Sequence, residues 1–191
     1  MKKKTILLGT AAIAAAAGLA AAMTMKKSIV SPLKIRVDSA GNGNFGSSRN
    51  PPYNKHYGID LVVTEGQKVY APMGGSINII ENALSDKKGY KGVRIFAENN
   101  LQIDILYISP IVANDMIVKK GQLIGYAQNI TKAYNQSMLN HIHVEHYDRY
   151  KSLFVNPTPY YFDSYVTASL NESVIEISTE EYQEYVAYQF T

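Results

Sequence analysis

From residue 68 to residue 147 apolar and polar side chains alternate in short runs. A period of two places successive side chains on opposite faces of a strand. The alternation predicts strands over 68–71, 76–81, 93–97, 102–108, 123–127 and 141–147. A shorter candidate, Lys34-Ile35-Arg36-Val37, precedes them. The segments between carry turn chemistry. Residues 41–55 are rich in Gly, Asn, Ser and Pro, and 86–92 hold Gly89, Gly92 and four charged residues. Residues 129–140 read as a loop leading into the last strand. With no internal repeat and no long helical pattern before the tail, the expected fold is mainly β, an antiparallel sheet or sandwich.

Both ends depart from this pattern. Residues 5–25 carry no charge. As a helix they would span about 31 Å, close to the ~30 Å hydrocarbon core of a bilayer. Met1-Lys2-Lys3-Lys4 is a positive leader, and Ala20-Ala21-Ala22 fits a cleavage site. Residues 1–27 are therefore expected to be a hydrophobic helix, either a cleaved signal peptide or a retained membrane anchor. The protein is then exported or membrane-anchored, in a cell envelope or a virion membrane. Residues 28–40 are expected to be a linker, 41–164 the β domain and 165–191 a short α/β extension. Within that extension Ser173-Val174-Ile175-Glu176-Ile177 alternates like a strand. Ser178-Thr179-Glu180-Glu181 resembles a capping box opening a short helix. The extension either packs back on the domain or docks a protein partner.

Composition narrows the chemistry. The chain has no cysteine, which excludes thiol catalysis, Cys-ligated zinc and a disulfide framework. Its formal charge of +3 is unevenly spread: five lysines lie in 1–27, and five glutamates with no base lie in 165–191. Nothing in that distribution resembles a nucleic-acid surface. The domain between is mildly basic, which suits an anionic wall only weakly. A hydrophobic fraction of 46% supplies a core, and 15 tyrosines with no tryptophan fit a sheet protein.

Three of the four histidines sit in two motifs, His56-Tyr57-Gly58-Ile59-Asp60 and His141-Ile142-His143. On an extended chain His56, Gly58 and Asp60 share a face, as do His141, His143, Glu145 and Tyr147. Ile142, Val144 and His146 face the other way, so His146 reads as structural. Two imidazoles and a carboxylate make a three-ligand metal site with one position open, the pattern of catalytic zinc. The same set also describes a mononuclear iron centre. Glu145 is placed to orient His143 from behind, or to be a solvated strand residue.

The surroundings of these motifs resemble the lysostaphin/LytM-type zinc endopeptidases, which cut peptidoglycan cross-bridges. Asn44-Phe45-Gly46-Ser47-Ser48-Arg49 is similar to their FGxR turn, and His56-Tyr57-Gly58-Ile59-Asp60-Leu61 to their first ligand motif. Gly66-Gln67-Lys68-Val69-Tyr70-Ala71-Pro72-Met73-Gly74-Gly75 and Val118-Lys119-Lys120-Gly121-Gln122-Leu123-Ile124-Gly125 resemble two of their hairpins. His141-Ile142-His143-Val144-Glu145 resembles their HLHFE strand, and Asn156-Pro157-Thr158-Pro159-Tyr160 their closing segment. The resemblance spans about 41–161, in order. It implies a Zn2+ site made by His56, Asp60 and His143, with His141 as general base or transition-state stabiliser and a peptidoglycan peptide as substrate.

One position departs from that pattern. The family carries a second non-ligand histidine in a Y-x-H-L strand, and here Leu106-Tyr107-Ile108-Ser109-Pro110 puts Ser109 there. A serine cannot become a cation near neutral pH, so it stabilises an oxyanion less well. Tyr107 is a substitute donor, or simply packing. The expectation is a zinc endopeptidase, for wall remodelling or phage-supplied lysis. The alternative is a catalytically impaired zinc-binding relative, acting as a wall-binding, regulatory or virion/envelope structural protein.

Overall fold

In the computed structural model residues 28–50, 54–84, 89–134 and 137–162 are described, together with the backbone of 174–176. The alternating runs become strands, in chain order β1 (Val37–Asp38), β2 (Gly41–Asn42), β3 (Gly58–Val62), β4 (Lys68–Tyr70), β5 (Gly75–Ile80), β6 (Gly92–Phe96), β7 (Leu101–Leu106), β8 (Ile108–Pro110), β9 (Ile117–Val118), β10 (Leu123–Ala127), β11 (His141–Asp148), β12 (Leu153–Val155) and β13 (Val174–Glu176). A 3-10 turn (Ile130–Lys132) precedes β11, and one short helix, α1 (Thr158–Tyr161), follows β12. The fold is mostly antiparallel β with very little helix, as the periodicity predicts.

The strands form an eight-stranded sheet in the order β13-β12-β11-β7-β6-β5-β9, with β3 also paired to β11, and a three-stranded sheet β4-β10-β8. One apolar cluster joins them. Val69 and Ile124 of the small sheet share it with Ile77, Ile95, Ile103, Ile105, Ile142 and Val144 of the large one. Each such fully buried aliphatic side chain contributes about 1.5–3 kcal/mol. With Ile142, Val144, Ile59 and Leu61 committed to this core, the other face of β3 and β11 must carry Gly58, Asp60, His141, His143 and Glu145. The register sets Asp60 directly opposite His143 and Gly58 opposite Glu145.

Two expectations are corrected. Residues 28–40, read as a linker, are packed onto the domain. Ile29 and Val30 are fully buried in the core, and Tyr70 N–H donates to the Ile29 carbonyl at 2.9 Å. Residues 34–36 run along β3, with a bridge between Ile35 and Leu61. The single strand expected over 102–108 is two strands in different sheets. Tyr107 sits between them in the left-handed region at φ 67°, and the chain leaves the large sheet there. A bulky residue with positive φ is uncommon and marks a designed bend. The backbone of β13 pairs with β12, where the tail alternation predicts a strand. The expected N-terminal helix and the capped tail helix lie outside the described residues.

Candidate metal centre

Three local devices deliver the site residues. His56 closes the 44–49 turn: Gly46 N–H donates to the His56 carbonyl and His56 N–H to the Ser47 carbonyl, both at 2.8 Å. Phe45 anchors that turn in the core. Asp60 lies in β3, and His141, His143 and Glu145 on one face of β11. Two glycines make room. A side chain at Gly58 would collide with the Val144 carbonyl and with the His143 ring, and one at Gly43 would lie 2.6 Å from Cβ of Asp60. Gly58 is therefore the residue that lets His143 lie across β3.

Three donor atoms converge. His143 Nδ1 is 2.9 Å from Asp60 Oδ1, His56 Nε2 is 3.1 Å from the same oxygen, and the two nitrogens are 3.0 Å apart. All three residues are buried. The second ring nitrogen of each histidine decides its tautomer. His56 Nδ1 lies 2.9 Å from the Asn44 carbonyl, which only accepts, so Nδ1 carries the proton. His143 Nε2 lies 2.8 Å from Glu145 Oε1, so Nε2 donates there. Both neutral rings then aim lone pairs at one another and at a carboxylate oxygen. Such an arrangement is repulsive unless a cation sits among the three atoms. A tetrahedral metal with ligands at ~2.0–2.1 Å needs donors about 3.3 Å apart, and the observed 2.9–3.1 Å is close to it. The residues fit a divalent metal bound through His56 Nε2, Asp60 Oδ1 and His143 Nδ1.

The electrostatics agree. Burial favours the neutral carboxyl of Asp60, yet His56, His143 and His141 beside it hold its pKa well below the usual range. Burial lowers the pKa of His56. Burial also works against a charged His143, but hydrogen bonds to Asp60 and Glu145 outweigh it and raise the group to about 9. Without metal, a proton is the cation this cluster takes up.

His141 stands beside the triad. Its Nδ1 lies 3.0 Å from the Leu139 carbonyl, which fixes the proton on Nδ1 and leaves Nε2 a lone pair. That Nε2 is 3.8 Å from Asp60 Oδ1, outside hydrogen-bond reach. Burial lowers its pKa, so the ring is neutral and basic near pH 7. Glu145 is buried, not solvated. His146 is fully buried on the opposite face, with Nε2 2.8 Å from Tyr161 Oη.

Ser109 lies elsewhere. It is exposed on β8 opposite Tyr126 and lines a surface pocket of about 470 Å³ with Glu65, Tyr126 and Lys132. Tyr107 occupies the place beside His141, its ring edge-on at 5.8 Å between centroids. Burial raises its pKa well above 10, so its hydroxyl is a donor. Arg36 is the residue that sequence reasoning missed. It is 5% exposed and donates Nε and Nη2 to Asp60 Oδ2 at 3.2 and 3.0 Å. The one signal was a base between Ile35 and Val37 in a short strand pattern. Arg49 of the FGxR-like turn reaches the same oxygen at 3.7 Å.

Residues 54–157 match the profile of peptidase family M23. Leukocyte cell-derived chemotaxin-2 from Bos taurus is 34% identical over 112 residues, 58% of this chain and 71% of that protein. Myeloid protein 1 from Gallus gallus is 34% identical over 119 residues, 59% of this chain but only 34% of that protein. The solution structure of lysostaphin shares the fold, with a TM-score of 0.52 at 21% identity, covering 71% of this chain and 54% of lysostaphin. The chain belongs to peptidase family M23, a metallopeptidase family of hydrolases, and carries its lysostaphin/LytM-type domain.

Proposed function

We propose that the protein is a zinc-dependent endopeptidase that cleaves peptide cross-bridges of bacterial peptidoglycan. The observation that carries this reading is the convergence of three lone pairs from His56, Asp60 and His143, with a neutral basic imidazole next to them. Bound there, zinc supplies an activated water and a Lewis-acid contact to a carbonyl. The protein residues supply the rest. Glu145 and Asn44 hold the two ligand rings in their metal-binding tautomers. His141 Nε2 accepts the proton released at nucleophilic attack and returns it to the leaving amine. Tyr107, whose ring lies edge-on to His141, is the candidate donor for a developing oxyanion. The uncharged stretch in segment 1–27, read as a signal peptide or a membrane anchor, supports export to the wall side of a membrane.

Digestion of purified cell wall by the full chain tests this. Activity should require stoichiometric zinc, disappear with a chelator and return with zinc alone. A zinc-loaded, folded protein that leaves wall peptides intact would favour the second reading, a zinc-binding relative that binds wall, regulates or builds an envelope. Two observations favour that alternative. The histidine that the resemblance implies in the Y-x-H-L strand is absent, with Ser109 exposed on β8, and lacking one oxyanion donor costs typically 10²–10³ in rate. A curated relative at 34% identity is named a chemotaxin, not a peptidase.

A further inference from the structure

Arg36 and Asp38 lie outside residues 54–157, the span matched by the family profile. Both are tied to the metal centre. The Arg36 guanidinium places two N–H groups on one oxygen, Asp60 Oδ2. Its third contact, Nη1 to Asp38 Oδ1 at 2.8 Å, holds the fork in place. The backbone fixes the same geometry, since Arg36 N–H donates to the Asp60 carbonyl at 2.8 Å. With Oδ2 occupied twice, only Oδ1 of Asp60 faces His56 and His143. Asp38 reaches in the other direction. Its Oδ2 accepts from Leu139 N–H at 2.8 Å, and the carbonyl of that same residue sets the His141 tautomer.

We propose that Arg36 and Asp38 form a positioning pair that presents Asp60 to the metal through one oxygen and, through Leu139, holds His141 in its basic tautomer. The pair links the metal carboxylate to the candidate general base across strands far apart in sequence. It rests on the metal-site reading above. A lysine in place of Arg36 keeps the charge but not the two-pronged geometry, because an ammonium is a point donor. Charge effects on the metal are thus held constant, and orientation alone is changed.

The test uses the full chain, freed of metal, with zinc affinity measured by chelator competition and coordination by visible absorption of the Co2+ form. Arg36→Lys should weaken zinc ten- to a hundredfold, the cost typical of losing a partner behind a ligand. The intense four-coordinate cobalt bands should also weaken as Asp60 turns to offer both oxygens. The thermal melt of the metal-free variant separates this effect from a folding defect. Asp38→Ala should leave the cobalt spectrum four-coordinate, while ring-nitrogen NMR shows His141 as a mixture of tautomers. An Arg36→Lys protein with wild-type zinc affinity and spectrum overturns the role of Arg36. A single unchanged His141 tautomer in Asp38→Ala overturns the role of Asp38. Asp60→Ala distinguishes the deeper failure: if it binds zinc as the wild type does, the metal-site reading itself falls.

Discussion

Zinc binding to this site should expel a proton, and the size of the effect follows from the charges around His143. In the metal-free protein burial opposes a charged imidazole there, yet Asp60 and Glu145 flank both ring nitrogens and hold the group at about 9. At pH 7 the ring is then almost fully protonated. His56 and His141 are shifted down by burial, and Asp60 lies well below its usual range, so none of them carries a proton at that pH. Metal uptake must release close to one proton, from His143. Apparent affinity should rise about tenfold per pH unit well below 9, roughly fiftyfold between pH 7 and 9, and then level off. Chelator competition at several pH values measures the slope, and calorimetry in two buffers of different ionisation enthalpy counts the proton. The same shift has a stability consequence in the metal-free state. A raised pKa stabilises the fold fully below the unfolded value of about 6.5 and loses that contribution as pH rises through about 9. The loss is on the order of 3 kcal/mol and should be absent once zinc replaces the proton. A flat affinity from pH 7 to 8 with no proton released would refute the reasoning, because His143 would then be neutral in the empty site.

Asp60→Ala should abolish stoichiometric zinc by metal analysis, whereas a full equivalent retained would show that the ligand set is wrong. If wall peptides are cleaved, His141→Ala should remove turnover and keep the metal; joint loss of both would make His141 a ligand. Gly58→Ala should destabilise the protein by about 1–3 kcal/mol or more by thermal melt, because the added methyl overlaps the Val144 carbonyl and presses on the His143 ring. Tyr107→Phe should lower kcat about 10²-fold with little change in KM if its hydroxyl serves the oxyanion. Ser109→His should change the rate little, since residue 109 is exposed on β8; a large gain would restore position 109 to the site.

The face carrying His141, His143 and Glu145 was legible because alternation is enforced by the core. Ile142 and Val144 cannot leave it without losing several kcal/mol, so their neighbours must point outward. Gly58 was legible as a break in helical pattern, but its reason, room for the His143 ring, needed the register of β3 against β11. The bend at Tyr107 was not legible, although the residue itself was read as a substitute donor. Its run continues the alternation from 102, and only the positive φ at Tyr107 shows where the chain leaves the large sheet for the small one. Arg36 was hidden for another reason. Its partner Asp60 is 24 residues away, and a short apolar stretch with one base carries no motif that names a distant carboxylate.

Every residue of the triad has a second polar anchor: Asn44 for His56 and Arg36 for Asp60, each from another segment, and Glu145, two residues along β11, for His143. The fold therefore brings the three donors together, and a metal or a proton among them relieves their mutual repulsion. That has a consequence for function. A peptidase and a non-cleaving relative would need the same anchors to keep the same three donors, so metal binding by itself does not separate them. What separates them is the edge of the site where His141 meets Tyr107, because only a turnover-competent protein needs a base and an oxyanion donor placed together. The bend at Tyr107 puts a neutral phenol there while Ser109 is exposed on β8. A phenol donates a hydrogen bond but gains no charge as the oxyanion forms, so its stabilisation falls short of an imidazolium's. If the protein cleaves wall peptides, turnover should thus be slow and should fall further in both His141→Ala and Tyr107→Phe, whereas a rate unaffected by either change would place the base and the donor elsewhere.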